Sequence, residues 1–137
     1  NTGNVTLEQL INVYPFKDNL RVIELTGNQI KELIEYSLTL PYGIGQVSGL
    51  EIKYDSSLNP MKRVIDIKVD GKGLLASKKY TVSVSGYLAK GGDGYRVFTE
   101  GRFVNDEKPF QDALYEEFKK AKIIEIPASG RLIDVGN

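Results

Sequence analysis

Apolar residues fall at helical spacing near the start of the chain. Leu7, Leu10 and Ile11 stand at i, i+3 and i+4, and Thr6 and Gln9 before and among them have the Ser/Thr-x-x-Glu/Gln spacing of a capping box. This predicts a short amphipathic helix that Pro15 ends. Beyond the turn-forming cluster Lys17-Asp18-Asn19, the β-branched and apolar run Leu20 to Leu25 predicts a strand. Thr26 and Gln29 repeat the capping box, and Ile30, Leu33, Ile34 and Leu38 mark one face of a longer helix ending near Pro41.

The period then changes from helical to alternating. Gly43 and Gly45 open a loop into Val47 to Tyr54, where Leu50, Ile52 and Tyr54 alternate with Glu51 and Lys53 as in a half-buried strand. Asp55 to Pro60 is a turn, Val64 to Val69 reads as the returning strand, Asp70-Gly71 turns the chain again, and Tyr80, Val82 and Val84 resume the alternation. Three strands in succession favour antiparallel pairing. Gly86 to Gly94 holds four glycines in nine residues and reads as a loop, after which Tyr95 to Phe98 is strand-like. Phe110, Ala113, Leu114, Phe118 and Ala121 form the stripe of a core-facing helix, with Lys119, Lys120 and Lys122 where positive charge suits the helix dipole. Ile123 to Ile126 would add a last strand before Pro127. The expected fold is α+β, a mixed and largely antiparallel sheet with flanking helices, in one domain over residues 1–137.

Composition narrows the chemistry. Eighteen Lys plus Arg balance eighteen Asp plus Glu, so no net field draws in a nucleic-acid polymer or an anionic membrane. No apolar run approaches the roughly 20 residues that cross a bilayer. The 137 residues contain no His and no Cys, which excludes a zinc site of the usual N/S type, a Ser-His-Asp triad, a thiolate nucleophile and a disulfide framework. Asn1 stands where an initiating Met is expected, so the chain reads as a segment of a longer protein. Glu24, Glu35, Asp66 and Asp70 follow no spacing that predicts an acid/base pair or a Mg²⁺ site and are assigned to solvated faces; no metal site is predicted.

Gly91-Gly92-Asp93-Gly94-Tyr95 is the strongest local signal. Its glycines let the backbone take positive φ and approach a ligand, and one carboxylate projects from the turn. That carboxylate would repel phosphate, whereas an ionised Asp accepts hydrogen bonds from two adjacent hydroxyls of a sugar. The plainer reading is a tight surface turn with a solvated Asp. Tyr14, Phe16 and Tyr87 are aromatics in loop-like contexts that can stack on a planar ligand, with core burial as the alternative for each; Phe110 and Phe118, on a helical stripe, are assigned to the core.

Taken in order, Thr6-Leu-Glu-Gln-Leu10, Tyr14-Pro-Phe-Lys-Asp-Asn19, Val22-Ile-Glu-Leu-Thr-Gly27, Gln46-Val-Ser-Gly-Leu50, Gly86 to Tyr95 and Gly130-Arg131-Leu132 resemble the C-terminal domain of the 5′-nucleotidase family over nearly the whole chain. The resemblance implies an N-terminal metallophosphoesterase domain, outside these residues, that holds two divalent metal ions, and a C-terminal domain that supplies the nucleoside pocket. It implies no cofactor in this domain and an isolated domain that is inactive. Carried over by position, Phe16 and Tyr87 would clamp the base and Asp93 would take the ribose hydroxyls, with Gly91 and Gly92 in the loop. The family often has Asn just before the second aromatic, where this chain has Ser85-Gly86, and Phe-Gly-Asn or Phe-Asp-Asn where it has Phe16-Lys17-Asp18-Asn19. The base-edge role of that Asn falls here to Asp18, which only accepts, or to Asn19 one position along.

The resemblance implies a nucleoside-recognition domain of a periplasmic, cell-surface or secreted hydrolase, whose partners are a nucleoside or nucleotide and the metallophosphoesterase domain of the same polypeptide. The competing reading, motivated by Asp18 and Gly86, is a non-catalytic accessory domain that keeps the fold and has lost nucleoside binding.

Overall fold

The computed structural model describes residues 3–104, 108–125 and 130–136. Both capping boxes form. Thr6 Oγ1 accepts from the Gln9 N–H at 3.2 Å while Gln9 Oε1 accepts from the Thr6 N–H at 2.9 Å, which opens helix α1 (Leu7–Val13). Thr26 and Gln29 repeat the exchange at 3.3 and 2.9 Å to open α2 (Gly27–Ser37). Each box satisfies N–H groups that a helix start leaves without intrahelical partners, and a cap of this kind contributes about 1 kcal/mol. Two more helices are described, α3 (Gly86–Ala89) and α4 (Phe110–Ala121).

The described strands are, in chain order, β1 (Asn19–Thr26), β2 (Leu50–Tyr54), β3 (Val64–Val69), β4 (Lys72–Gly73), β5 (Lys79–Ser85), β6 (Arg102–Phe103), β7 (Lys108–Pro109) and β8 (Leu132–Asp134). They make two four-stranded sheets. In the first, β1 pairs antiparallel with β5 on one side and with β6 and β7 on the other. In the second, of order β4-β3-β2-β8, the hairpin strands β2 and β3 are antiparallel and β8 runs parallel to β2. Arg131 secures that parallel edge, because its carbonyl accepts from the Ile52 N–H at 2.7 Å and its guanidinium donates to the Val47 carbonyl at 2.7 Å. The fold is α+β, as the pattern predicts.

Helix α2 joins the two sheets through one core on each side. Ile30 and Leu33 pack with Ile23, Leu25, Ala89, Val97 and Phe98 of the first sheet and the segment after it, whereas Ile34 and Leu38 pack with Ile52 and Ile67 of the second. Glu35 lies on this helix and is 5% exposed rather than solvated as expected. Its carboxylate accepts the N–H groups of Arg63 and Val64 at 2.9 and 3.0 Å, which docks the start of β3 onto α2. Arg63 in turn donates to the Leu38 carbonyl at 2.5 Å, at the end of that helix.

Several expectations are corrected. The strand through Tyr80, Val82 and Val84 does not extend the β2–β3 hairpin. The chain crosses the start of α2, where Gly27 and Asn28 donate their N–H groups to the carbonyls of Lys78 and Ala76, and β5 then joins β1 in the other sheet. Tyr95 to Phe98 is not a strand: Arg96–Glu100 is a 3-10 turn that still buries Val97 and Phe98, since a short apolar run has no period to distinguish the two. Ile123 and Ile124 are in no strand and Ile126 lies outside the described residues; β8 supplies the last strand instead. Helix α4 forms where expected, yet none of its residues is fully buried: Phe110 and Phe118 are half-buried on a helix that lies outside the two cores.

Replacing Glu35 by Ala strands two backbone N–H groups in a buried place, which should destabilise the chain by roughly 2 to 4 kcal/mol. Glu35→Gln, which keeps one acceptor oxygen, should cost less. The midpoints of urea unfolding measure both.

Candidate functional site

The segment between α1 and β1 meets the start of α3 at one carboxylate. Asp18 Oδ1 accepts from the Asn19 N–H at 2.8 Å, and Oδ2 accepts from the Tyr87 N–H at 3.1 Å and from the Tyr14 hydroxyl at 3.0 Å. Burial is the largest single influence on Asp18 and would raise its pKa. The bonds from the Tyr87 and Asn19 N–H groups and the Tyr14 and Ser85 hydroxyls together outweigh it and hold the carboxyl below its ordinary value of 3.8. Burial also pushes the Tyr14 phenol up, and the Asp18 charge adds to this, so Tyr14 stays a donor. Gly86 makes the approach possible: a Cβ there would stand 2.6 Å from Asp18 Oδ1 and 3.1 Å from the Asn19 carbonyl oxygen.

Gly86 to Gly94 is more ordered than the loop its glycines suggest. Ser85 caps α3 by accepting from the Leu88 N–H at 3.3 Å, which turns the first four residues into a single helical turn. The chain then takes positive φ at Gly91 (85°), Asp93 (51°) and Gly94 (83°). Asp93 is the one non-glycine among these; Asp enters the left-handed region more readily than most residues, and its surroundings hold it there. Those surroundings are two tyrosines. Tyr87 Oη donates to Asp93 Oδ1 at 2.9 Å and accepts from the Asp93 N–H at 3.3 Å, and Tyr36 Oη, from α2, donates to the Asp93 carbonyl at 2.8 Å. The Tyr87 ring lies so close over Gly92 that a Cβ there would meet it at 2.5 Å. Tyr36 itself sits edge-on to Tyr95, with ring centroids 5.2 Å apart.

Phe16 reaches this group through Tyr14, whose ring it meets edge-on at 5.3 Å. On its other side Tyr14 stacks on Phe110 at 4.2 Å, and Gln111 donates to the Tyr14 carbonyl, so the start of α4 braces the segment that carries Phe16 and Asp18. Asp18, Asn19, Tyr87, Gly92 and Asp93 are therefore in direct contact along one line, with Phe16 at its end and Gly91 opening the left-handed turn. Phe16 is 64% and Tyr87 55% exposed, so neither is a core aromatic. They stand on an open surface. Cavities of about 390 and 860 Å³ are lined by other residues, the smaller one by Tyr36, Gly94 and Tyr95 behind the Asp93 turn.

Of the two tyrosines that hold the turn, sequence reasoning finds Tyr87 and misses Tyr36. Tyr36 is part of no motif, and its distance from Asp93 in the chain hides the contact. Tyr42, 68% exposed on the loop after α2, carries no sequence signal either; burial raises its phenol most, followed by the Asp93 charge. Among the described residues no three His, Cys, Asp or Glu stand together as metal ligands, and the chain has no His, so these residues do not fit a two-metal centre.

Residues 1–100 match the family described as the 5′-nucleotidase C-terminal domain. The chain belongs to that family. Its relatives include the trifunctional nucleotide phosphoesterase protein YfkN of Bacillus subtilis, 36% identical over 76% of this chain and 8% of YfkN, and the 5′-nucleotidase of Rattus norvegicus, 30% identical over 96% of this chain and 25% of the rat protein. Among solved structures, a 5′-nucleotidase precursor from Thermus thermophilus superposes with a TM-score of 0.83 at 25% identity, covering 97% of this chain and 28% of that one. The chain thus spans between a twelfth and somewhat over a quarter of these relatives. The 5′-nucleotidase C-terminal domain is, in this chain, the two-sheet fold with the Asp18–Tyr87–Asp93 line on its surface.

Because Asp18 is held below 3.8 in the folded chain, the unfolded state binds more protons as pH falls past that value. Its contribution to stability is complete above about 3.8 and is lost as pH drops through the depressed folded value. Asp18→Asn should therefore be destabilised at neutral pH, and the gap to the wild type should narrow in urea unfolding carried out below that point.

Proposed function

We propose that residues 1–137 are one nucleoside-recognition domain of a 5′-nucleotidase-like phosphoester hydrolase acting on nucleotides. Phe16 and Tyr87 hold the base, Asp93 takes the ribose hydroxyls, and Asp18, Asn19, Gly91 and Gly92 complete the site. The observation that carries this is the double hydrogen bond between Tyr87 and Asp93: it fixes an exposed ring and a carboxylate side by side, as the adjacent base and sugar of a nucleoside require. An ionised carboxylate has about four acceptor sites, so the bond from Tyr87 leaves Asp93 able to accept from a vicinal diol. A stacked base gains about 1 to 3 kcal/mol per aromatic contact with little dependence on its identity.

The chain's residues bind and orient; they do not cleave. Divalent metal ions supply hydrolysis of the phosphate ester from the metallophosphoesterase domain of the same polypeptide, and the isolated domain is inactive. The open surface around Phe16 and Tyr87 suits a site whose far wall comes from that partner. The setting is periplasmic, cell-surface or secreted, as the family resemblance implies; no helix among the described residues is long and apolar enough to cross a membrane. Asp18 and Gly86, the two departures that motivate an accessory role, fit each other sterically, which supports a retained site over a lost one.

Titrating the chain with adenosine at millimolar levels should move the NMR signals of Phe16, Tyr87 and Asp93 in a saturable way, and Tyr87→Ala should weaken binding by about 1 to 3 kcal/mol. Unmoved signals at all three residues in the wild type would reject the nucleoside reading.

A further inference from the structure

Asp18 is a half-buried charge whose acceptor capacity is largely used. Its two oxygens meet three donors, the N–H groups of Tyr87 and Asn19 and the Tyr14 hydroxyl, against about four lone-pair sites on a carboxylate. Asn in its place has one acceptor oxygen and would turn its NH₂ towards groups that are themselves donors. The carboxylate also fits only beside glycine, because a Cβ at position 86 would lie 2.6 Å from Oδ1. Asp18 and Gly86 therefore fit each other as a pair.

We propose that Asp18 is a positioning residue for Tyr87: seated against Gly86, it fixes the backbone at the start of α3 so that the Tyr87 ring lies on Gly92 and its phenol reaches Asp93, and it makes no contact with the base. This rests on the nucleoside reading of the site and changes the part Asp18 plays in it. Helix α3 has only four residues, and a single turn does not form on its own because nucleation costs more than its hydrogen bonds return. Ala89, buried in the first core, anchors its end, and two acceptors hold its start, the Ser85 hydroxyl on the Leu88 N–H and the Asp18 carboxylate on the Tyr87 N–H. The second bond is to a full negative charge and is the stronger kind. With it removed, Tyr87 keeps its chemistry and loses its place: the ring no longer rests on Gly92, and the two bonds to Asp93 have no fixed origin. Base discrimination then comes from stacking and from groups other than Asp18.

The test is Asp18→Asn in the whole chain, followed by NMR and adenosine titration. In the wild type, nuclear Overhauser contacts should join the Tyr87 ring to the Gly92 α-protons. In the variant these should vanish and adenosine affinity should fall roughly tenfold, the size a charge-assisted hydrogen bond commands, while contacts within the distant core between Ile52 and Ile67 persist. A role confined to overall folding would weaken both sets of contacts together, which overturns the proposal. So does a variant that retains the Tyr87–Gly92 contact and wild-type affinity. If Asp18→Asn does not fold, Tyr14→Phe removes one of the three donors while keeping the ring stacked on Phe110, and Gly86→Ala pushes the carboxylate aside. Both should shift the Tyr87 ring signals in the same direction, and unshifted signals in both refute the assignment. A wild type that ignores adenosine sinks the nucleoside reading alone, since the ring contact still reports whether Asp18 places Tyr87.

Discussion

Helix α2 has to bury two apolar faces at once, and most of the architecture follows from that requirement. Ile30 and Leu33 need one sheet, Ile34 and Leu38 another, and the four side chains at roughly 1.5 to 3 kcal/mol each outweigh anything the capping box contributes. A single sheet would cover one face and leave the other wet. The chain resolves this by sending β5 back to β1 across the start of the helix, which leaves the β2–β3 hairpin free to close the opposite side with β8. Glu35 then makes the second contact directional, because a buried carboxylate must be met by donors, and the two it finds are backbone groups at the entry to β3. Tyr36, the next residue, leaves the same helix for the Asp93 turn. One helix therefore fixes the spacing of the sheets and an anchor of the site.

The site is assembled from three stretches of chain that meet only in the folded state. Tyr14 to Asn19 enters the first sheet, Ser85 to Tyr87 leaves it on the neighbouring strand, and the turn at Gly91 to Gly94 is held by that exit and by α2. Pairing of Leu20 with Ser85 places Asp18 and Tyr87 just beyond the end of the β1–β5 ladder, so the register of two strands decides which residues meet. A shift of one residue would turn every β5 side chain to the other face and separate them. The geometry of the surface site is in this sense a consequence of the core, since Val82 and Val84 choose the register by facing it.

What can be read from residues alone, and what cannot, divides along the range of each interaction. Both capping boxes are legible because Thr6–Gln9 and Thr26–Gln29 act within one helical turn, and β1, β3 and α4 because their periods are long enough to count. Helix α3 is not, since four residues have no period and its cap is a serine among glycines. The destination of β5 is illegible for a different reason: alternation states which face is apolar and says nothing of which sheet receives it. Glu35 reads as solvated because its partners are backbone N–H groups 28 and 29 positions away, which carry no side-chain signature. At the site the exposed aromatics and the Gly-rich turn stand out by composition. Tyr36, which holds that turn from behind, does not, because a hydroxyl donating to a distant carbonyl leaves no spacing to find.

The two aromatic walls of the proposed site differ in how firmly they are held, and the difference has an energetic meaning. Tyr87 is tied at its N–H, at its ring face and at its phenol, so most of its rotamer entropy is already lost before any ligand arrives. Ordering such a side chain on binding otherwise costs about 0.5 to 1.5 kcal/mol, which is comparable to the gain from one stacked base. Among the described residues Phe16 has one ring contact, the edge-on one with Tyr14, and is otherwise largely exposed. In the proposed site, a fixed ring beside the carboxylate assigned to the sugar and a second, more exposed ring would set the position of the sugar first and tolerate variation in the base. On the proposed reading stacking would favour the same order, because every base presents a π face while only the diol presents two adjacent donors to Asp93. Selectivity would then reside in the pentose, through a carboxylate that the bonds from Tyr87 and Tyr36 hold in place.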